Sequence, residues 1–395
     1  MKSASRHYYP SAPIASVSLG SAIGLSVAPS TNLSLQVFGH TISPDFVAYF
    51  TSFLQFSSGG NPYDVDALGA LQHKLHGYTP RGVLPLWYPP WALVLFWPIL
   101  AHSWHVSLAL WLSLSTFCAF FTVRCCYNLL DISFEDSAHH RAYLAWIIFP
   151  VVAVLYFAQV GLFLTAALSA FLVLQKQRRD VLAGMVLVML SVKSHLFLPL
   201  TPLLVAWIVN QRRYMIALVS VITLAALTCL AELQAPGCMR DWIHISKIPL
   251  LQMKTATLAG LCGDVLSIAI GDDPRLGPLI ILPIFLIPLF GFLGSLFLAI
   301  KNRNEILPER SIHQVVCLSV FLAPYAWIHD YALLLIPYTM LLANERQRVW
   351  GNSATRVSIA AQIAAFLGAP LWLAHPVTFC WYPCVILFAV RRANF

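Results

Sequence analysis

The chain has 395 residues, of which 59% are hydrophobic and only 10% charged, and its mean hydropathy is +0.74. That leaves too little polar surface to cover a water-soluble globule of this size, so the sequence reads as an all-α polytopic membrane protein. The net charge of +8, from 24 Lys and Arg against 16 Asp and Glu, would invite a nucleic-acid reading in a soluble protein. Here the basic residues fall mostly in short loops between apolar segments, where they report orientation, and no nucleic-acid partner is expected.

Lys2 and Arg6 precede a Ser/Ala/Gly-rich stretch near residues 11–29 that reads as a weak first span rather than a cleavable signal. Residues 30–104 then form a first large loop rich in Asp, His, Tyr and Trp. Within it Asp45 opens "SPDFVAYFTSFLQF", where Phe46, Tyr49, Phe50, Phe53 and Leu54 follow helical spacing and predict an amphipathic helix on the outer membrane face. Asp45 is either the N-cap of that helix or a general base whose carboxyl is partly desolvated between lipid and protein. "GGNPYDVDAL" follows as a turn with Asp64 and Asp66, a weak metal-binding pattern, and no metal site is assigned. Residues 86–101, "LWYPPWALVLFWPILA", contain Pro89, Pro90 and Pro98, which break helix continuity. The segment is predicted to be re-entrant, with Trp87, Tyr88, Trp91 and Trp97 suited to the headgroup zone.

Apolar segments near 105–123, 142–158 and 160–175 come next, with Gln159 in the shortest external turn. Lys176, Arg178 and Arg179 then begin a run that ends at Arg212 and Arg213 and carries Lys193, Ser194 and His195 in its middle. If both basic clusters are cytoplasmic the run must leave and return as a helical hairpin whose legs are short for a full span, and Lys193 and His195 then become functional candidates at depth. A single long helix with a snorkelling lysine is the alternative. A span near 214–231 leads to a second external loop, 232–276, with Arg240, Lys247, Lys254 and Arg275. Nine cysteines occur without C-x-x-C pairs, and Cys238 and Cys262 share this loop, where pairing is left open. The last segments, near 277–300, 314–325, 331–343, 356–374 and 377–390, are interrupted by "APYAWIHDYALLLIP", which places Trp327, His329 and Asp330 in a tight turn.

A single topology puts every short basic loop on the cytoplasmic side if both termini are cytoplasmic and residues 86–101 make no net crossing. Asp45, Gln159, His329 and Asp330 then share the external face. Residues 1–395 form one integral membrane domain with no separate soluble unit.

Asp45-Phe46 with Tyr49, Asn61-Pro62-Tyr63-Asp64, Tyr88-Pro89-Pro90 with Phe96 and Pro98, Gln159, the basic cluster followed by "LAG" and Lys193, and Pro324, Trp327, His329, Tyr331 and Pro337 together resemble glycosyltransferase family 87. The resemblance runs from about residue 40 to 343. Ala158 stands where the family usually has Gly, Val160 and Gly161 do not supply the Asn that usually follows Gln, and Ser194 replaces a Pro. The resemblance implies a GT-C-type bundle of about 10–12 transmembrane helices with short re-entrant helices. It further implies an inverting plasma-membrane enzyme that moves a hexose, mannose foremost, from a polyprenyl-phosphate donor to a lipid or glycan acceptor at the outer face. Asp45 would be the catalytic base; His329, Lys193 and His195 would meet the donor phosphate, His329 counting as catalytic; Tyr49, Tyr88, Trp91, Gln159, Trp327 and Asp330 would line the substrates. No cofactor is expected. A transporter or flippase of polyprenyl-linked sugars, or an assembly partner in envelope synthesis, are the other classes compatible with these residues.

Overall fold

The computed structural model describes residues 36–37, 40–41, 45–76, 82–132, 145–245, 255–270, 277–301, 309–343 and 353–392. The first span expected near 11–29 and Arg275 lie outside them. Among the described residues the only strands are a two-residue antiparallel pair, Gln36–Val37 with His40–Thr41. All other regular structure is helical, and the chain is an all-α polytopic membrane protein. Among the described residues four segments are long and apolar enough to cross a membrane: Trp104–Leu129, Asp180–Phe197, Tyr214–Gln234 and Leu279–Lys301. The remaining apolar helices are shorter and joined at kinks.

α1 (Phe46–Ser57), α2 (Val65–His76) and α3 (Pro90–Leu100) make up the first loop region, and α4 (Trp104–Leu129) is the first long helix. α1 has the apolar face expected of it, but its other face is covered as well. Val47, Thr51 and Ser52 are buried because α2 and α3 pack over it and Gln72 donates to the Thr51 hydroxyl at 3.2 Å. Phe46 sits between Trp104 and Trp111 of α4 at 5.1 and 5.6 Å, while Phe53 and Phe56 meet Trp97 of α3 at 5.2 and 5.8 Å. Such aromatic pairs contribute about 0.5–1.5 kcal/mol each beyond area burial. α3 therefore begins beside Tyr49, through Tyr88, and still touches α1 near its far end. An 11-residue helix rises only about 16 Å, as the proline-broken sequence leads one to expect.

α5 (Phe149–Phe157) and α6 (Gly161–Lys176) are joined by residues 158–160, and α6 packs mainly on α4 rather than on α5. Ala158 has φ +53° and ψ +47°, the left-handed conformation that glycine adopts without strain and that an alanine side chain disfavours. At Gly161 a Cβ would come within 2.8 Å of the His329 carbonyl oxygen, so the Asn usual after Gln has no room at this second position.

The run with Lys193 is α7 (Asp180–Leu187), a 3-10 segment (Val188–Phe197) and α8 (Leu200–Asn210). Its two feet meet. Arg213 donates to the Gln175 carbonyl at 2.7 Å and forms an ion pair with Asp180, so the chain has left and returned to one end of the bundle as a hairpin. The bend is at Lys193, whose φ −131° and ψ 60° are non-helical. α6 measures the reach: its 16 residues cover about 24 Å from Lys176, beside the feet, to Gly161, beside Gln159. Lys193 touches Gln159, so the hairpin spans the same distance. Lys176 also caps the end of α4, donating to Asn128 and Leu129 carbonyls and pairing with Asp131.

α9 (Tyr214–Gln234) climbs from the feet to the other end, where Gln234 donates to the Phe56 and Ser57 carbonyls and so caps α1. α10 (Cys238–Ile245) docks on the first loop: Asn61 donates to Asp241 at 2.9 Å and Trp242 to the Trp87 carbonyl at 3.2 Å. Cys238 and Cys262 are both free thiols, and Cys238 lies against Glu232 and the Ala231 carbonyl. α11 (Leu258–Ile270), α12 (Gly277–Lys301), α13 (Glu309–Phe321), a 3-10 segment (Ile328–Leu334), α14 (Leu335–Ala343), α15 (Ser353–Leu367), α16 (Ala369–Ala374) and α17 (Trp381–Arg392) complete the bundle. α12 presents Phe285, Phe290 and Phe297 outward, the apolar exterior expected toward lipid.

Candidate active site

At the end of the bundle opposite the basic feet, five polar side chains from five segments form one connected network. Asp45 begins α1, but its side chain does not cap that helix. It accepts instead a 2.6 Å hydrogen bond from Gln159 Nε2. Gln159 Oε1 accepts from the Tyr88 hydroxyl at 2.6 Å and from Lys193 Nζ at 3.4 Å. Lys193 pairs with Asp330 Oδ1 at 2.5 Å, and its ammonium lies 5.3 Å from the centroid of the Tyr88 ring. Asp330 Oδ2 accepts the Trp327 backbone N–H at 2.9 Å, which closes the turn ahead of the 3-10 segment.

The sequence brings these groups together by breaking helices. Pro89, itself extended at φ −63° and ψ 153°, precedes the first residue of α3 and follows a bend at Tyr88, which places that side chain at the helix entrance. Ala158 turns the chain so that Gln159 projects between α5 and α6. The 3-10 stretch interrupts the hairpin at Lys193, a device that recurs at functional positions within helices. Lys193 is 6% exposed and Asp330 1%, so this ion pair is among the most deeply buried features of the fold. Tyr49 stacks on Tyr88 at 5.2 Å, with their hydroxyls 2.9 Å apart. The single Tyr88 proton goes to Gln159, which makes Tyr49 the donor in that pair. Burial holds the phenols of Tyr49 and Tyr88 well above their ordinary range, Asp45 adding to the effect at Tyr49, so both are protonated donors at neutral pH.

His329 is buried with Nε2 3.8 Å from Asp330 Oδ1 and its ring 5.7 Å from Phe157. Lys193 and His329 thus flank the same carboxylate. Asp330, expected to line a substrate, is engaged on both oxygens and serves as counter-ion to Lys193. Trp327 enters the network through its backbone. Trp91 stands one step away, donating to Ser191 at 3.0 Å and meeting Trp242 edge-on at 5.3 Å. His195 stands beside the network without a hydrogen bond to it: its ring stacks on Tyr325 at 3.8 Å, and Asp330 and Lys193 both act on it electrostatically.

Several contributors are not apparent from the sequence. Tyr63 donates its hydroxyl to the Tyr88 carbonyl at 2.6 Å and its backbone N–H to Asn61 Oδ1 at 2.9 Å, so the Asn-Pro-Tyr-Asp motif supports Tyr88 from behind. Asp64 caps α2 through the N–H groups of Asp66 and Ala67, a structural role. Among the described residues no group of three or more His, Cys, Asp or Glu side chains is placed to hold a metal. Ser191, Tyr325 and Trp242 are the other unforeseen neighbours; only Ser191, two residues before Lys193, carries a positional hint.

An array of this kind offers a carboxylate acceptor at one end and a buried cation at the other, joined by one amide. No curated protein and no solved structure matches the chain significantly. The family model for glycosyltransferase family 87 matches residues 86–324, which include Tyr88, Trp91, Gln159, Lys193 and His195 and exclude Asp45 and His329. That match spans more than half of the sequence, and the chain is a membrane glycosyltransferase belonging to family 87.

Proposed function

We propose that this glycosyltransferase moves a hexose, mannose foremost, from a polyprenyl-phosphate carrier to a lipid or glycan acceptor with inversion at the anomeric carbon. The observation that carries the reading is the Asp45–Gln159–Lys193–Asp330 network, which sets a carboxylate and a cation at one end of a lipid-exposed bundle. A lipid-linked donor reaches such a site sideways through the bilayer. The acceptor oxygen forms the new bond to the anomeric carbon as the bond to the phosphate oxygen breaks; the acceptor proton passes to Asp45 and the electron pair leaves with the phosphate. The phosphate needs a cation in a low-dielectric site, and Lys193 is best placed to supply it, with buried His329 beside the same carboxylate offering a ring N–H rather than a charge. Lys193 rests against Asp330, so the donor phosphate competes with that carboxylate for the ammonium. His195 belongs to the surroundings of the phosphate rather than to its contacts.

Orientation follows from charge. The feet carry Lys176, Arg178, Arg179, Arg212 and Arg213, the composition of a cytoplasmic face, which supports the reading that the Asp45 end faces the outer side. The test is incubation of the purified chain with radiolabelled polyprenyl-phosphate mannose and a membrane-lipid extract, with product identification by mass spectrometry. A labelled product formed only with intact Asp45 supports the reading; movement of the donor across vesicles without a product would replace it with transport.

A further inference from the structure

Asp45 is gripped by a side chain whose own orientation is dictated from behind. Gln159 is 7% exposed, and it projects from a turn fixed by its backbone N–H bond to the Val154 carbonyl at 3.0 Å. Its amide oxygen faces two donors, the Tyr88 hydroxyl at 2.6 Å and Lys193 Nζ at 3.4 Å. Exchanging oxygen and nitrogen would set N–H against the Lys193 ammonium and amide oxygen against the Asp45 carboxylate, and would cost the Tyr88 hydroxyl its acceptor, so the NH2 faces Asp45. An amide nitrogen can only donate, and the 2.6 Å contact to Asp45 Oδ2 therefore favours the ionised, proton-accepting carboxylate.

We infer that Gln159 is a positioning residue that aims Asp45 and keeps it in its proton-accepting form, its amide locked by Tyr88 and steadied by Lys193. The inference rests on the reading of Asp45 as the base. Other titratable groups surround the pair: Tyr49 from α1, Tyr88 ahead of α3, Lys193 from the hairpin, and His329 and Asp330 from the 3-10 segment. The tyrosines are neutral, and Lys193 and Asp330 largely cancel each other's field at 2.5 Å. A donor phosphate that draws Lys193 forward loosens the 3.4 Å contact and leaves the Tyr88 bond in place, so the amide keeps its orientation while the donor binds.

The experiment compares Gln159→Leu, Tyr88→Phe and Asp45→Asn with the wild-type full chain, using polyprenyl-phosphate mannose and the lipid extract across pH. Gln159→Leu removes a hydrogen bond to a charged group and is expected to lower kcat about 10- to 100-fold, with donor KM little changed. The acid limb of its kcat/KM profile should move up by about one pH unit. Tyr88→Phe keeps the amide but frees it to flip, and should shift the limb the same way by less. Infrared titration of the protonated carboxyl band that Asp45→Asn abolishes reports the same midpoint without turnover. An unchanged midpoint in Gln159→Leu, or a defect confined to donor KM, overturns the inference. If Asp45→Asn turns over normally the base reading falls instead, and the infrared midpoints decide the Gln159 contact on their own.

Discussion

Replacing Lys193 by Met keeps most of the side-chain volume and removes the charge, so it isolates the ion pair at the heart of the site. At 2.5 Å and an effective dielectric of 20, the Coulomb attraction is about 7 kcal/mol. Desolvating the two ions costs several kcal/mol each, so the intact pair is close to neutral in stability. Breaking it is different. Lys193→Met leaves the Asp330 carboxylate, 1% exposed, with the Trp327 N–H bond and a distant histidine, and an uncompensated buried charge of this kind costs about 3–5 kcal/mol. Asp330→Asn should cost about the same, since the amide still accepts from Trp327 but strands the ammonium. The double variant removes both charges and should recover at least about 2 kcal/mol relative to the sum of the singles, measured by denaturant unfolding in one mixed-micelle composition. Stability returns but transfer does not, because the donor phosphate has lost its cation. Additive losses, or singles within about 0.5 kcal/mol of wild type, would refute the claim that these residues form a buried ion pair.

Asp45→Asn retains shape and loses the proton acceptor, so sugar transfer measured with the radiolabelled donor should fall about 100- to 10,000-fold; near-normal turnover would reduce Asp45 to a helix terminus. Lys193→Met and His329→Ala should each weaken donor binding, and their combination should be non-additive because both groups serve one phosphate; titration with the donor while acceptor affinity stays level checks this. Gly161→Ala drives a Cβ to 2.8 Å from the His329 carbonyl oxygen, which should cost about 1–3 kcal/mol in unfolding and displace His329, lowering kcat more than the fold loss alone explains. A cysteine at exposed Ser103, on a background without native cysteines, should react with a membrane-impermeant maleimide from outside intact cells; reaction only after permeabilisation would put residues 86–101 across the membrane.

Much of this was readable in one dimension because membranes impose simple rules. Paired basic clusters around Lys193 announced a hairpin, and Arg213 meeting Asp180 is its physical form. Three prolines within residues 86–101 announced a short broken segment, and α3 is one. What stayed hidden is pairing at long range. Asp330 reads as a turn residue, yet 137 positions separate it from Lys193 and no local pattern links them. Tyr63 likewise sits in a motif that suggests a turn, while its work is to hold the Tyr88 carbonyl. His195, two residues from Lys193, is buried against Tyr325, a partner 130 positions away that no local pattern announces. Topology and family resemblance both point to Gln159, but nothing in "YFAQVGLF" states that both ends of its amide are occupied.

The clasp between Arg213, Gln175 and Asp180 makes the hairpin a ruler with its zero pinned at the feet. The height at which Lys193 stands is then set by the number of residues in each leg, as the length of a piston rod sets the top of its stroke. Adding one residue to α7 would raise the ammonium by about 1.5 Å and swing it by about 100°, enough to take it off Asp330 altogether. Two neighbouring spacings in the chain, from the clasp to Lys193 and from Lys176 back to Gln159, have to change together if the enzyme is ever to fit a thicker bilayer or a donor whose phosphate lies at another depth.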